Sequence, residues 1–148
     1  ARFKKIAEKD KEYTLERFVE FGNIITRQRH VLRNHLKEIK ALDKSIYAYG
    51  APAKGNTLLN YFEIGNNLID KAVEVNEMKV GYYLPQSHIP ITLESSNDLP
   101  DYYLLLSHNF AEEIIKKNKD VIAKGTKFII PFPQIEEVGS DVPMTLEV

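Results

Sequence analysis

Residues 45–62 decide the fold of this 148-residue chain, and they read SIYAYGAPAKGNTLLNYF. Residues 45–49 have the pattern of a β-strand that stops at Gly50, and residues 54–62 have the pattern of a helix. A strand, a glycine turn and a helix in this order are typical of a parallel sheet with helices packed over it. This stretch therefore predicts an α/β protein.

The rest of the chain continues the same alternation. We expect further strands at Leu68–Val75, Ile91–Leu93, Asp101–Leu106 and Lys127–Ile130. A helix is predicted over Asn109–Lys124, ended by Gly125. Together the elements predict an α/β fold, a small Rossmann-like, doubly wound parallel sheet over residues 45–133. Residues 134–148 are predicted to be an acidic tail, either a loop or an addition to the sheet edge.

A long helix is predicted in front of the sheet, over residues 11–43, within an arm that spans residues 1–44. Apolar residues recur there every three or four positions: Leu15, Phe18, Ile25, Leu32, Leu36 and Ile39. Gly22 and Arg29 interrupt the stripe, which argues against a coiled coil. We expect the helix to bury Phe18, Ile25, Leu32 and Ile39 against its own sheet or in a homodimer, because water tolerates a stripe of this size poorly.

The composition excludes several functional classes. Apolar residues make up 43% and charged residues 28%, as in a soluble globular protein. No apolar run is long enough to span a membrane, so no membrane association is expected. The absence of cysteine excludes disulfide scaffolds, Cys-ligated metals and thiol nucleophiles, and it agrees with a cytoplasmic location. His30 and His35 lie five positions apart and do not share a helix face, so no metal site is expected.

The charge is unevenly divided between the two parts of the chain. Residues 1–44 carry 12 Lys and Arg against 7 Asp and Glu, whereas residues 45–148 carry 8 against 14. Because acids are interspersed among the basic residues and no recognised binding module is present, nucleic acid is not an expected partner. The simpler interpretation is that the two parts attract each other.

The turn at residues 50–57 is the strongest candidate site. A glycine turn that leads into a helix exposes backbone N–H groups to an anion, and the helix dipole favours negative charge there. Lys54, Asn56 and Thr57 add donors, and Gly50, Ala51 and Gly55 would let the backbone approach phosphate oxygens closely. The turn is neither a GxGxxG fingerprint nor a P-loop, because Lys54 precedes the second glycine. A purely structural turn remains the alternative.

Three loops are expected at the carboxyl ends of the strands, where open parallel sheets bind ligands: residues 50–56, 76–90 and 107–109. They contain or adjoin four further candidate ligand-binding residues: Glu74, Asn76, His88 and Asn109. Glu74 would accept hydrogen bonds from ribose hydroxyls or be a solvated carboxylate, and Asn109 would bind ligand or cap the next helix. No nucleophile–base set or carboxylate pair is recognisable, so no catalytic residue is predicted.

Several of these segments resemble one family. Residues 46–61 look like the signature of the C-terminal domain of sugar C-methyltransferases. Residues 81–91 resemble that family's GKYLPGTHIPI stretch, and residues 104–114 resemble its LILPWNFADEI stretch. The chain departs from the pattern at Gln86 and at Ser107-His108, in two expected ligand loops. The resemblance therefore implies a related function with an altered sugar or nucleotide.

The family consists of SAM-dependent enzymes that methylate a carbon of a nucleotide-linked deoxysugar. The resemblance implies that this chain is the domain that helps to hold the nucleotide-sugar and needs no cofactor of its own. SAM, zinc and the catalytic base would belong to other domains of the same polypeptide, so this chain would be inactive alone. Two alternatives stay open: a free-standing nucleotide- or CoA-binding module, and a protein-interaction domain.

Overall fold

The computed structural model describes residues 14–141 and 143–148, and it begins with a long helix, α1 (Leu15–Ala41). Thr14 caps this helix by accepting a hydrogen bond from the backbone N–H of Arg17 at 3.3 Å. Residues 11–13 of the predicted helix lie outside the described residues. Since β-branched residues are few and proline is absent, nothing in α1 interrupts the helical backbone.

Only the second half of α1 is covered by the sheet. Leu32, Leu36 and Ile39 are buried, as predicted, whereas Ile25 is half-buried. Phe18 is 59% exposed in this chain, so it is not buried against its own sheet, and its burial in a homodimer stays a prediction. The reason is length, because a 27-residue helix spans about 40 Å whereas four-residue strands span only about 13 Å.

In the described part of the chain, seven strands form one sheet, in the spatial order β3-β2-β1-β4-β5-β6-β7. The first five are parallel to each other and the last two are antiparallel. Their bounds are β1 Ile46–Tyr49, β2 Lys71–Glu74, β3 Ile91–Leu93, β4 Tyr102–Leu105, β5 Lys127–Ile130, β6 Ile135–Val138 and β7 Met144–Leu146. The predicted doubly wound α/β fold is confirmed, and residues 134–148 are an edge addition rather than a loop.

Helices cover both faces of the sheet. α1 and α2 (Ala53–Tyr61) pack on one face, against side chains that include Ile46, Ala48 and Leu104. The short helices α3 (Ala111–Lys117) and α4 (Lys119–Ala123) pack on the other face. The aromatic rings of Tyr49, Tyr103 and Phe128 lie on that second face, 5.1–5.7 Å apart.

The predicted helix over residues 109–124 is in fact two helices that meet at Asn118. The side chain of Asn118 is buried and donates to the Ile114 carbonyl at 2.8 Å and to the Tyr49 hydroxyl at 3.2 Å. Because an asparagine amide competes with the helical backbone for hydrogen bonds, it breaks the helix there. The second helix ends at Gly125, which has a φ of +104°, as the sequence predicts.

A buried carboxylate ties α1 to the strands at the end of the chain. Glu137 on β6 accepts from Lys127 at 2.8 Å and lies 3.0 Å from the Nε2 atom of His35 on α1. Gln28 on α1 donates to the carbonyl of Pro133. These contacts fix residues 133–138 against the arm helix.

Candidate functional site at the carboxyl edge of the sheet

The chain reverses direction across the sheet between β1 and β4. It runs from β1 outward to β2 and β3, and then returns to β4 on the other side of β1. The loops after β1 and β4 therefore separate and leave a crevice of about 410 Å³, lined by Tyr49, Gly50, Glu74, Glu94, Ser107 and Phe110, among others. This is the position at which open α/β sheets bind ligands.

Gly50 begins the turn after β1 and has a φ of +82°. Its N–H donates to the Val73 carbonyl at 2.9 Å, which anchors the turn to β2. A Cβ atom on Gly50 would lie 3.3 Å from the Oγ atom of Ser107. Both the left-handed backbone and the close approach of Ser107 therefore favour glycine here.

The helix that follows, α2, begins without a side-chain cap. Its N-cap residue is Pro52, which makes no side-chain cap hydrogen bond. The first helical bond after it runs from Asn56 N–H to the Pro52 carbonyl at 3.1 Å. The N–H groups of Ala53, Lys54 and Gly55 precede that bond and have no partner among the described residues. This end of α2 can therefore accept an anion.

Three predicted side chains lie in the first turns of α2, and they differ in availability. Lys54 is exposed and forms no ion pair within the described residues. The hydroxyl of Thr57 donates within the helix to the Ala53 carbonyl at 3.2 Å. The Oδ1 atom of Asn56 is buried and makes no hydrogen bond in the described part of the chain. Lys54 is thus the side chain best placed to reach a ligand.

Close packing requires glycine at position 55, which the sequence did not reveal. A Cβ atom there would lie 2.5 Å from the Cβ atom of Leu106, just beyond β4. Leu106 is fully buried in the core. The missing side chain of Gly55 lets α2 pack against β4, whereas the expected approach of its backbone to phosphate stays a prediction.

Glu74 is bonded by the protein itself. One carboxylate oxygen accepts from the Ala51 N–H at 3.2 Å and from Lys79 at 3.1 Å, and the other accepts from the N–H groups of Val75 and Asn76. Burial opposes ionisation, but these bonds outweigh it and hold the pKa of Glu74 below its usual value. A carboxylate with four such bonds holds the Gly50 turn in place and is poorly available to a ribose hydroxyl.

Asn76 has a local role beside Glu74. Its side chain accepts from the Met78 N–H at 3.0 Å and caps a 3₁₀ turn over Glu77–Lys79. Lys79 on that turn reaches back to the Ala51 carbonyl at 3.1 Å. The structure thus brings Asn76 close to the Gly50 turn through Glu74 and Lys79.

His88 lies at the amino edge of the sheet, so its expected position at the carboxyl ends of the strands is wrong, whereas its role as a ligand-binding residue stays a prediction. β2 and β3 are parallel, and residues 76–90 must return to the amino end before β3 begins. The carbonyl of Ser87 accepts from the N–H of Asn66 at 3.1 Å, and Asn66 precedes β2. His88 is exposed there, with a φ of +55°.

The loop after β4 forms a 3₁₀ turn, His108–Phe110, that the sequence did not predict. Asn109 is exposed on this turn and does not cap the next helix, because the N-cap residue of α3 is Phe110. A second cleft, of about 260 Å³, separates this turn from the start of α2 and is lined by Lys54, Ser107, His108, Asn109 and Phe110, among others. Lys54 and Asn109 therefore share one cleft.

Sequence reasoning left out His108, whose ring lines this cleft and a larger one of about 620 Å³ beside β5 and β6. Burial lowers the pKa of His108, and the nearby charge of Lys54 lowers it further. The ring is therefore neutral near pH 7 and packs edge-on against Phe132 at 5.7 Å. The only signal in the sequence was that the dipeptide Ser107-His108 departs from the family pattern.

The sequence matches one protein family, described as the C-methyltransferase C-terminal domain, over residues 2–133. The chain belongs to this family. It is also similar to the C-methyltransferase NovU of Streptomyces niveus, with 35% identity over 124 residues. That alignment covers 82% of this chain and 30% of the relative, so the chain spans less than a third of the length of NovU.

Two further findings concern the described residues alone. None of their helices is both long enough and apolar enough to cross a membrane. Within the same residues, no three His, Cys, Asp or Glu side chains lie close enough together to hold a metal ion.

Proposed function

We propose that this chain is the nucleotide-sugar-binding, C-terminal part of a SAM-dependent C-methyltransferase that acts on a nucleotide-linked deoxysugar. SAM, zinc and the catalytic base would be supplied by other domains of the same polypeptide. The chain itself would provide binding and orientation, without a catalytic residue of its own. Membership of the C-methyltransferase family supports the reaction class, and the carboxyl edge of the sheet supports the binding role.

One observation carries the binding proposal: α2 begins without a cap at the switch point of the sheet, and its first turn includes the exposed side chain of Lys54. The N–H groups of Ala53, Lys54 and Gly55 make no protein hydrogen bond within the described residues. A diphosphate accepts such bonds, and the helix dipole adds a favourable field. Lys54 would add a charge-assisted contact to the phosphate oxygens.

The diphosphate would lie toward α2 rather than deep in the Gly50 crevice. The Ala51 N–H is already used by the Glu74 carboxylate, and Glu94 also lines that crevice. Carboxylates repel a phosphate group, and Glu94, unlike the fully bonded Glu74, can accept hydrogen bonds from sugar hydroxyls. The charge pattern therefore favours phosphate at Lys54 and hydroxyl groups nearer Glu94.

Calorimetric titration of the chain with uridine 5′-diphosphate tests this proposal. Lys54→Ala should weaken binding about tenfold, which corresponds to about 1.4 kcal/mol. The matched control is Lys124→Ala, because Lys124 is also exposed but lies just before β5, at the opposite edge of the sheet. If both variants bind as the unmodified chain does, the turn is only structural and the proposed binding role is wrong.

A further inference from the structure

We infer that Phe110 is the platform on which the aromatic base of the nucleotide stacks. This inference rests on the proposed function and adds to it a residue and a ligand group. Phe110 is absent from the candidate ligand-binding residues named from the sequence. It lies on the 3₁₀ turn after β4, and 62% of its side chain is exposed.

The position of Phe110 separates it from other exposed apolar residues. It lines the 410 Å³ crevice at the switch point, the 260 Å³ cleft beside α2 and the 620 Å³ cleft beside β6. An isolated exposed apolar side chain is ordinary on a protein surface. A phenyl ring at the junction of three concavities, beside an anion-accepting helix end, fits a flat ligand.

Hydrogen bonds fix the backbone of the turn that carries this ring before any ligand arrives. The Phe110 N–H donates to the Ser107 carbonyl at 2.9 Å, and the Ala111 N–H donates to the His108 carbonyl. The turn directly follows β4, whose residues Leu104 and Leu105 are completely buried. Because the backbone is already ordered, only the side-chain torsions of Phe110 lose freedom when a base stacks on the ring.

The charges around Phe110 orient a nucleotide. The cleft beside α2 contains Lys54 and no carboxylate, whereas the switch-point crevice contains three carboxylates and a single lysine, Lys117, and therefore has an excess of negative charge. A base on Phe110 would thus place phosphates toward Lys54 on one side and hydroxyl groups toward the carboxylates on the other. The inferred ligand group is a nucleobase in a molecule that also carries phosphate and hydroxyl groups.

The test compares a ligand that has a base with one that lacks it. The chain and its variants are titrated with uridine 5′-diphosphate and, separately, with inorganic pyrophosphate. Phe110→Ala should weaken binding of the nucleotide about tenfold, the size typical of one stacked base, and leave pyrophosphate binding unchanged. Phe110→Tyr should bind the nucleotide like the unmodified chain because it keeps the ring.

The control variant is Tyr82→Ala, because Tyr82 is 67% exposed and does not line these three clefts. It should leave both affinities unchanged. In proton NMR spectra of the mixture, the base protons of the nucleotide should also move upfield with the unmodified chain and not with Phe110→Ala.

The outcomes separate this inference from the proposed function. If the nucleotide binds but Phe110→Ala binds it equally well, the stacking inference is wrong while the proposed function stands. An equal loss for nucleotide and pyrophosphate also refutes stacking, because it shows a general disturbance of the site. If the unmodified chain does not bind the nucleotide, both the inference and the proposed binding role are overturned.

Discussion

Replacing Gly55 by alanine tests the packing of α2 against β4. The added Cβ atom would lie 2.5 Å from the Leu106 Cβ atom and 3.1 Å from its Cδ1 atom. Carbon atoms in contact prefer a separation of about 3.5–4.0 Å. Because Leu106 is 1% exposed, it cannot turn away into solvent, and α2 must move by about 1 Å.

The expected magnitude follows from two opposing effects. Overpacking a core costs about 1–3 kcal/mol, and the better helix propensity of alanine offsets up to about 1 kcal/mol of this. We therefore expect Gly55→Ala to lower the free energy of unfolding by about 1–2 kcal/mol. The melting temperature should fall by about 2–8 °C for a chain of this size.

Urea unfolding followed by circular dichroism measures the effect, and Gly22→Ala is the matched control. Gly22 is also helical, but a Cβ atom there would have no neighbour within 4 Å. Gly22→Ala should therefore raise the free energy of unfolding by about 0.5–1 kcal/mol through helix propensity alone. If Gly55→Ala is as stable as the unmodified chain, the close contact with Leu106 does not exist as described.

Two further predictions concern Glu74 and SAM. The folded pKa of Glu74 lies below its usual 4.5, so its stabilising effect is present above that pH and is lost as the pH falls through the folded pKa. Glu74→Gln should destabilise the chain at pH 7, and the difference from the unmodified chain should shrink as the pH falls below 4.5. Glu38→Gln, on the exposed side of α1, should show no such change in the difference. Calorimetry with SAM should show no binding in the low micromolar range, because the glycine turn at residues 50–57 has neither the GxGxxG fingerprint nor the P-loop sequence. Binding in that range would contradict this prediction.

The strand–helix alternation was readable from the sequence because it depends on local patterns. Gly50 stops β1, and the apolar run after Asp101 forms β4, buried on both faces. The end of α4 at Gly125 follows from the same local rules. Periodicity also identified the buried second half of α1, since Leu32 and Ile39 face the sheet.

The misassigned features depend on contacts between distant parts of the chain. Gly55 faces Leu106, fifty-one positions away in the sequence, and nothing near Gly55 indicates that contact. Asn118 breaks a helix partly because Tyr49 lies within hydrogen-bonding distance. His88 was misplaced because a loop between parallel strands visits both edges of the sheet, and the sequence does not show where it crosses.

The candidate site was predicted in part for the same reason. The turn from Gly50 to the start of α2 is local, and Lys54 lies where the pattern places it. The roles of Glu74 and Phe110 depend on which loops meet after folding, and this is set by the strand order. Candidate binding residues near the turn could be named from the sequence, but the residues that they contact in the folded chain could not.

Amide NMR mapping with uridine 5′-diphosphate tests the central claim, that this domain binds a nucleotide at the start of α2, most directly. We expect the largest shift changes at Ala53, Lys54 and Gly55, whose N–H groups lack protein partners in the described structure. Amides at the opposite edge of the sheet, such as those of Ser87 and His88, should not move. Shift changes that cluster at that opposite edge, or no changes at saturating nucleotide, would contradict the claim.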